Sequence, residues 1–291
     1  MKNNKAYSLL ALPAVLFFAA RLWQIKSGAI EPATGYLKNG VRWYHLAAIA
    51  IFAAAYVLCS ALLKNSPMPR AGQVRAQKAT GLLAAVSAAA VLAAAVCDAV
   101  SVLGQYKITQ LFMTRSQLAA LGIYSTGFKL SLVADAVGIA AAVWCALFAA
   151  KILTSGGLYD NLVLSCSVAV WLCLRAVARF ASGFVNSNDV VTVTAVLACM
   201  LLANTVIAAA RFISTDDSAK SAKTFTKTAL MTFYLALTTL PGALHRIADG
   251  DTPSAAFAAA MAALAAFMLL VARDVISCHV TETEEGTEDE Q

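Results

Sequence analysis

The residues with the most chemical potential are charges set inside otherwise apolar stretches: Asp98, Asp135, Arg175 and Arg179. A charge near the middle of a bilayer-spanning helix costs roughly 2.5–3.5 kcal/mol on insertion scales, so it faces protein or water. Two carboxylates and two guanidiniums at one depth can satisfy one another as charge-assisted pairs. Offered to a solute, the same four groups neutralise an anion through the arginines while the aspartates orient them or exchange a proton. Holding helices in register is the competing use of such pairs. A weaker group, Arg21, His45, His245 and Arg246, falls at the outer ends of apolar stretches, where it reads either as the rim of a cavity mouth or as contact with headgroups.

Helical phase supports the main grouping. Ser87, Ala94, Asp98, Ser101 and Gln105 share one face of their helix, and Ser131, Asp135, Gly138, Ala142 and Cys145 share one face of the next. Arg175, Arg179, Ser182 and Asn186 follow at i, i+4, i+7 and i+11 in the third. At 1.5 Å per residue, Asp98, Asp135 and Arg175 each lie roughly 8–10 Å below the outer end of their own span. Because the three spans run up, down and up, the shared depth follows from topology.

The elements that must position these groups are transmembrane. Of 291 residues 60% are hydrophobic and 13% charged, the mean hydropathy is +0.72, and the apolar residues fall in long blocks of the length a bilayer requires. The expected fold is all-α, a polytopic helical bundle of about eight spans with no soluble domain. The blocks lie at roughly 6–24, 43–63, 79–104, 130–153, 161–182, 190–212, 225–246 and 254–276. They form a transmembrane domain over 1–278, followed by an acidic tail, 279–291, expected to be disordered. Phe18 fits the minus-three position of a cleavage site after Ala20 badly, so the first block is expected to remain as a helix. The segment from Lys64 to Lys78 carries four cations and no acid, which places both termini in the cytoplasm of a plasma membrane.

Connections are short. Asn39-Gly40 between alternating residues signals a hairpin, and Ile108, Leu111, Phe112, Leu118 and Leu121 recur at helical spacing, as in an interfacial helix or lid. Alanine-rich faces predict close helix packing. Pro13 and Pro241 predict kinks, Asn204 an interhelical hydrogen bond, and the stripe Thr224, Thr228, Thr232 and Thr239 hydroxyls bonded back to their own helix.

Catalytic signatures are missing. The three histidines form no HExxH, the seven cysteines have no zinc spacing, and Walker, GxGxxG and GxSxG motifs do not occur, so no catalytic residue, metal or cofactor is assigned. The net charge of +6 is spread over loops and helix ends, which excludes a nucleic-acid patch. The pattern resembles that of bacterial multi-span inner-membrane proteins in general. The functional expectation is a carrier of a small polar or anionic solute, built around a charged pocket in the outer half. The alternative is a non-transporting sensor or an accessory subunit docking a membrane partner through its alanine faces.

Overall fold

The structure, a computed structural model, describes residues 2–30, 42–64, 66, 68–112, 122–182, 190–215, 218–247 and 250–288. Over these the chain is helical: α1 (Lys2–Ala11), α2 (Pro13–Lys26), α3 (Arg42–Lys64), α4 (Lys78–Phe112), α5 (Gly122–Ser155), α6 (Leu162–Ser182), α7 (Val190–Ser214), α8 (Ser218–Arg246) and α9 (Thr252–Glu288), with a 3-10 turn at Ala71–Gln73. The end at which α2, α4, α6 and α8 finish is called upper below, the opposite end lower.

Five stretches are long and apolar enough to cross a membrane: Lys5–Lys26, Lys78–Lys107, Lys129–Ser155, Thr192–Ser214 and Thr252–Cys278. Two more, Ile49–Lys64 and Leu162–Ala178, are apolar but shorter over the described residues. Helix α8 is diluted by Lys220, Lys223, Lys227 and its threonines. It still buries Phe225, Leu230, Met231 and Tyr234, together with Thr226, Thr232 and Thr239.

Helices α4 to α9 pack in chain order and α9 returns to α4, which closes a six-helix circuit. Aromatic side chains fill it: Phe267 of α9 meets Phe148 at 5.2 Å and Trp144 at 6.3 Å, and Phe257 meets Trp171 edge-on at 5.5 Å. Outside the circuit α2 lies along α8. The Tyr7 hydroxyl donates to the Thr226 carbonyl at 2.9 Å, and Tyr234 donates to the Leu10 carbonyl, so α1 is tied to α8 from both sides.

Small residues decide how closely the circuit closes. On α4, Ala84, Ala94 and Ala95 are buried while Leu82, Val86 and Val100 are exposed, the arrangement expected where large apolar groups meet lipid and small ones let backbones approach. A Cβ at Gly81 would stand 2.9 Å from the Leu153 side chain. The lower end of α5 stops at Gly156, whose φ of +68° suits glycine and whose N–H returns to the Ile152 carbonyl at 2.8 Å.

Several expectations change. Pro13 separates α1 from α2, but the Leu9 carbonyl that it would have left open accepts from Leu12 N at 3.2 Å. Residues 108–112 continue α4 instead of starting a separate helix, since no breaker interrupts them. Residues 113–121 and 31–41, which hold the Asn39-Gly40 turn of the expected hairpin, lie outside the described residues. Beyond Cys278 the backbone of α9 runs on to Glu288, so the expected disordered tail is helical over that stretch; the chain has no proline after Pro253 to stop it. Asn204 is exposed, and its neighbour Thr205 makes the interhelical bond, to Thr232 at 2.6 Å. Thr224, Thr228 and Thr239 do bond back to their own helix.

Candidate functional site

Asp98 and Asp135 each sit twenty residues from the lower end of their helix, counting to Lys78 on α4 and to Ser155 on α5. Antiparallel packing of α4 on α5 therefore brings both carboxylates to one level, about 30 Å up. Arg175 on α6 meets them there. Its Nη1 lies 2.5 Å from Asp98 Oδ2, and its Nη2 pairs with Asp135 Oδ1. Both Arg175 and Asp135 are buried, while the Asp98 side chain keeps 21% of its surface exposed. The guanidinium also lies 5.9 Å from the centroid of the Phe257 ring on α9, within range of a cation–π contact. One cation thus joins three consecutive helices of the circuit and leans on a fourth.

The cluster is not closed. Asp135 Oδ2, Arg175 Nε and Trp171 Nε1 are buried with no hydrogen-bond partner. Trp171 precedes Arg175 by one helical turn, and Gly138 follows Asp135 by one, so the indole lies under the ion pair. Its Nε1 occupies the space where a Cβ on Gly138 would be, 2.8 Å away. Gly138→Ala should therefore displace the indole and cost about 1–3 kcal/mol of stability, the range for overpacking. Gly104→Ala, whose Cβ meets nothing within 4 Å, serves as the control. Equal thermal melts for the two variants would refute this packing account.

Of the four residues singled out for the site, three meet. Arg179 belongs to α6, but its side chain lies outside the described residues. Of the rim group, the two residues whose side chains are described, Arg21 and His245, make no bond to the triad. Arg21 is buried on α2 and bonds to Gln24 and Thr194, and His245 is exposed at the upper end of α8. His45 and Arg246 fall on helices whose side chains at those positions are not described.

Sequence reasoning missed Asp274. It is 1% exposed on α9, level with the start of α4, and accepts from Gln77 N at 3.0 Å, Thr80 Oγ1 at 2.6 Å and Arg273 Nη2 at 3.4 Å. The available signal was an acid directly after Arg273, flanked by Val271, Ala272, Val275 and Ile276. A cleft at the same end, lined by Trp144, Tyr159, Asp160, Asn161 and Ser165 among others, has space for about one water molecule, ≈ 10 Å³.

No family model matches this chain, and no curated protein or solved structure matches it either.

Proposed function

We propose that the chain crosses the plasma membrane eight times with both termini in the cytoplasm, and that it carries a small polar solute using Asp98, Asp135 and Arg175 as its charge switch. In this reading α1 and α2 form one crossing, the shorter α3 and α6 and the polar α8 also cross, and the upper end faces outward. The carrying observation is stoichiometric: one buried guanidinium serves two carboxylates on neighbouring helices. A device that only fixes register needs one acid per arginine. Among the described side chains the second acid leaves this group one negative charge in excess, and a low-dielectric site pays heavily for imbalance. Neutrality is reached by taking up a proton or a cationic or hydrogen-bonding group. Arg175 is already engaged, so the trio favours such solutes over anions.

The discriminating variant is Asp98→Asn, which leaves a balanced Arg175–Asp135 pair. Thermal melts of purified protein against a panel of small amines, amino acids, sugars and carboxylates should give at least one stabilising solute for wild type. Asp98→Asn should lose that shift while its unliganded melt stays close to wild type. Retention of every shift by Asp98→Asn would defeat the switch.

A second reading, the accessory subunit, is favoured by α3. Ile49, Val57 and Leu58 on this helix are exposed, and among the described residues it packs mainly on α1 and α8. A partner that copurifies without crosslinking and is lost on Val57→Trp would support it.

A further inference from the structure

Outside the triad, cations gather where α1, α3 and α8 meet at the lower end. Lys220, Lys223 and Lys227 follow at i, i+3 and i+7 along the first three turns of α8, so they share one face. Lys64 closes α3 beside them, and the Lys223 ammonium donates to its carbonyl at 2.9 Å. Two turns above Lys64, the Lys227 ammonium lies 5.9 Å from the centroid of the Tyr56 ring, within range of a cation–π contact. Lys5 of α1 comes to the same end, because Tyr7 two residues on is bonded to the Thr226 carbonyl. Like charges at these helical spacings repel one another, so the stripe destabilises α8 unless something offsets it.

The neighbouring sequence holds too few acids to balance them. No Asp or Glu occurs in α1, α2, α3, α7 or α8. Asp274 of α9 is engaged by Gln77, Thr80 and Arg273. Asp216 and Asp217, just ahead of α8, are two acids against Lys5, Lys64, Lys220, Lys223 and Lys227, and counting both as paired still leaves three cations. The acidic residues after Cys278 are the remaining internal source of negative charge. Lys227 stands nine residues into α8, roughly 13 Å above its start, and Tyr56 eight residues before the end of α3, roughly 12 Å up, so the two share a level.

The contact between α3 and α8 offers more than charge. Phe52 on α3 meets Tyr234 of α8 edge-on at 6.3 Å, and Tyr56 one turn below Phe52 keeps 48% of its surface exposed beside Lys227. An ammonium carries three N–H donors. Lys223 uses one on the Lys64 carbonyl and keeps two, while a ring contact leaves Lys227 all three. A partner that fits is anionic at the lower end and apolar above it, as a diacyl phospholipid is; a free phosphate ion would meet the lysines and leave Tyr56 uncovered. We infer that the seam between α3 and α8 binds an anionic phospholipid, with Lys64, Lys223 and Lys227 on its charged oxygens and an acyl chain along Tyr56. This rests on the reading in which α3 and α8 cross the membrane, and it is independent of what the chain carries.

The experiment uses full-length protein in detergent. Native mass spectrometry follows adducts of dioleoylphosphatidylglycerol, a net anion, against dioleoylphosphatidylcholine, which has the same acyl chains and no net charge. Wild type should hold the anionic lipid in preference, and Lys227→Gln should weaken that binding about fivefold, the share expected of one lysine near an anionic surface. Replacing Lys220, Lys223 and Lys227 together by Gln should remove the preference. If that triple variant does not fold, Lys227→Gln alone decides. Lys151→Gln, which removes an exposed cation from the lower part of α5, is the control and should bind as wild type does. An equal loss in Lys151→Gln and Lys227→Gln would mean bulk charge and overturn the seam. So would a Lys227→Gln protein that matches wild type. Equal occupancy of wild type by the two lipids also overturns the inference, as it would if the acidic tail already held the lysines. Alkaline carbonate that strips the chain from membranes would refute the crossing reading and this inference together, whereas retention in the membrane with equal occupancy refutes the inference alone.

Discussion

Arg175→Gln should be the most damaging single substitution in the upper half of this protein, costing about 3–5 kcal/mol, the range seen when one partner of a buried ion pair is removed. The reason lies in what remains. Asp98 and Asp135 would face each other across the α4–α5 seam with their shared cation gone, and Phe257 would lose the charge against its ring. Both acids would then need protonation or water to stay where they are. Loss of folded yield in this variant therefore says nothing about function, because burial alone predicts it. Asp98→Asn is the counterpart: it leaves the better buried pair, Arg175–Asp135, intact, and Asp98 is the partner already part-exposed. Its melt should lie within about 1 kcal/mol of wild type, as for a part-exposed pair. The measurement is fluorescence-detected thermal unfolding of both variants in one detergent. If Arg175→Gln melts like wild type, the ion pairs contribute nothing measurable to the bundle. If Asp98→Asn falls as far as Arg175→Gln, the trio acts as one structural unit and the charge-switch argument loses its basis.

How much of this was legible without coordinates depends on which physical rule governs each residue. The triad was legible because a charge inside a long apolar run is expensive, and because helix direction plus 1.5 Å per residue fixes depth. Asp98, Asp135 and Arg175 needed nothing more. The alanine faces were legible for a similar reason, since composition sets how near two backbones can come. Which helices touch was not, because apolar periodicity says that a face is buried without naming its partner. The closure of α9 onto α4, and with it the placing of Phe257 under Arg175, depends on long-range packing. Arg21 was legible as a charge at a helix end, where contact with headgroups is the ordinary reading; that it is buried and bonded to Gln24 and Thr194 was not. The threonine stripe of α8 shows the limit within a single helix. Thr224 and Thr228 bond to the turn before them, whereas Thr232 lies opposite Thr205, and only the position of α7 distinguishes them.

Asp274→Ala should be the most damaging substitution at the lower end, costing about 3 kcal/mol through hydrogen bonds to a charged acceptor. The carboxylate works across two helices. From α9 it takes the backbone N–H of Gln77, the residue just before α4 begins, and the hydroxyl of Thr80 in the first turn. That N–H is among the donors a helix start leaves without an intrahelical partner. A carboxylate there also lies at the positive end of the α4 dipole. Arg273 completes the arrangement by donating to Gln77 Oε1 at 2.7 Å and to Asp274 itself. Removing the carboxylate leaves the buried Thr80 hydroxyl without its acceptor and returns the Gln77 N–H, on an exposed residue, to other partners. Asp274→Asn, which keeps one carbonyl oxygen, should recover roughly half of the loss. Thr80→Val should cost about 1–2 kcal/mol on its own, and little more once Asp274 is already alanine. That non-additivity, read from unfolding of the two single variants and the double, is the signature of a direct bond. Additive effects would mean that Asp274 acts by some route other than capping α4, and an Asp274→Ala melt equal to wild type would mean that the two helices hold together without it.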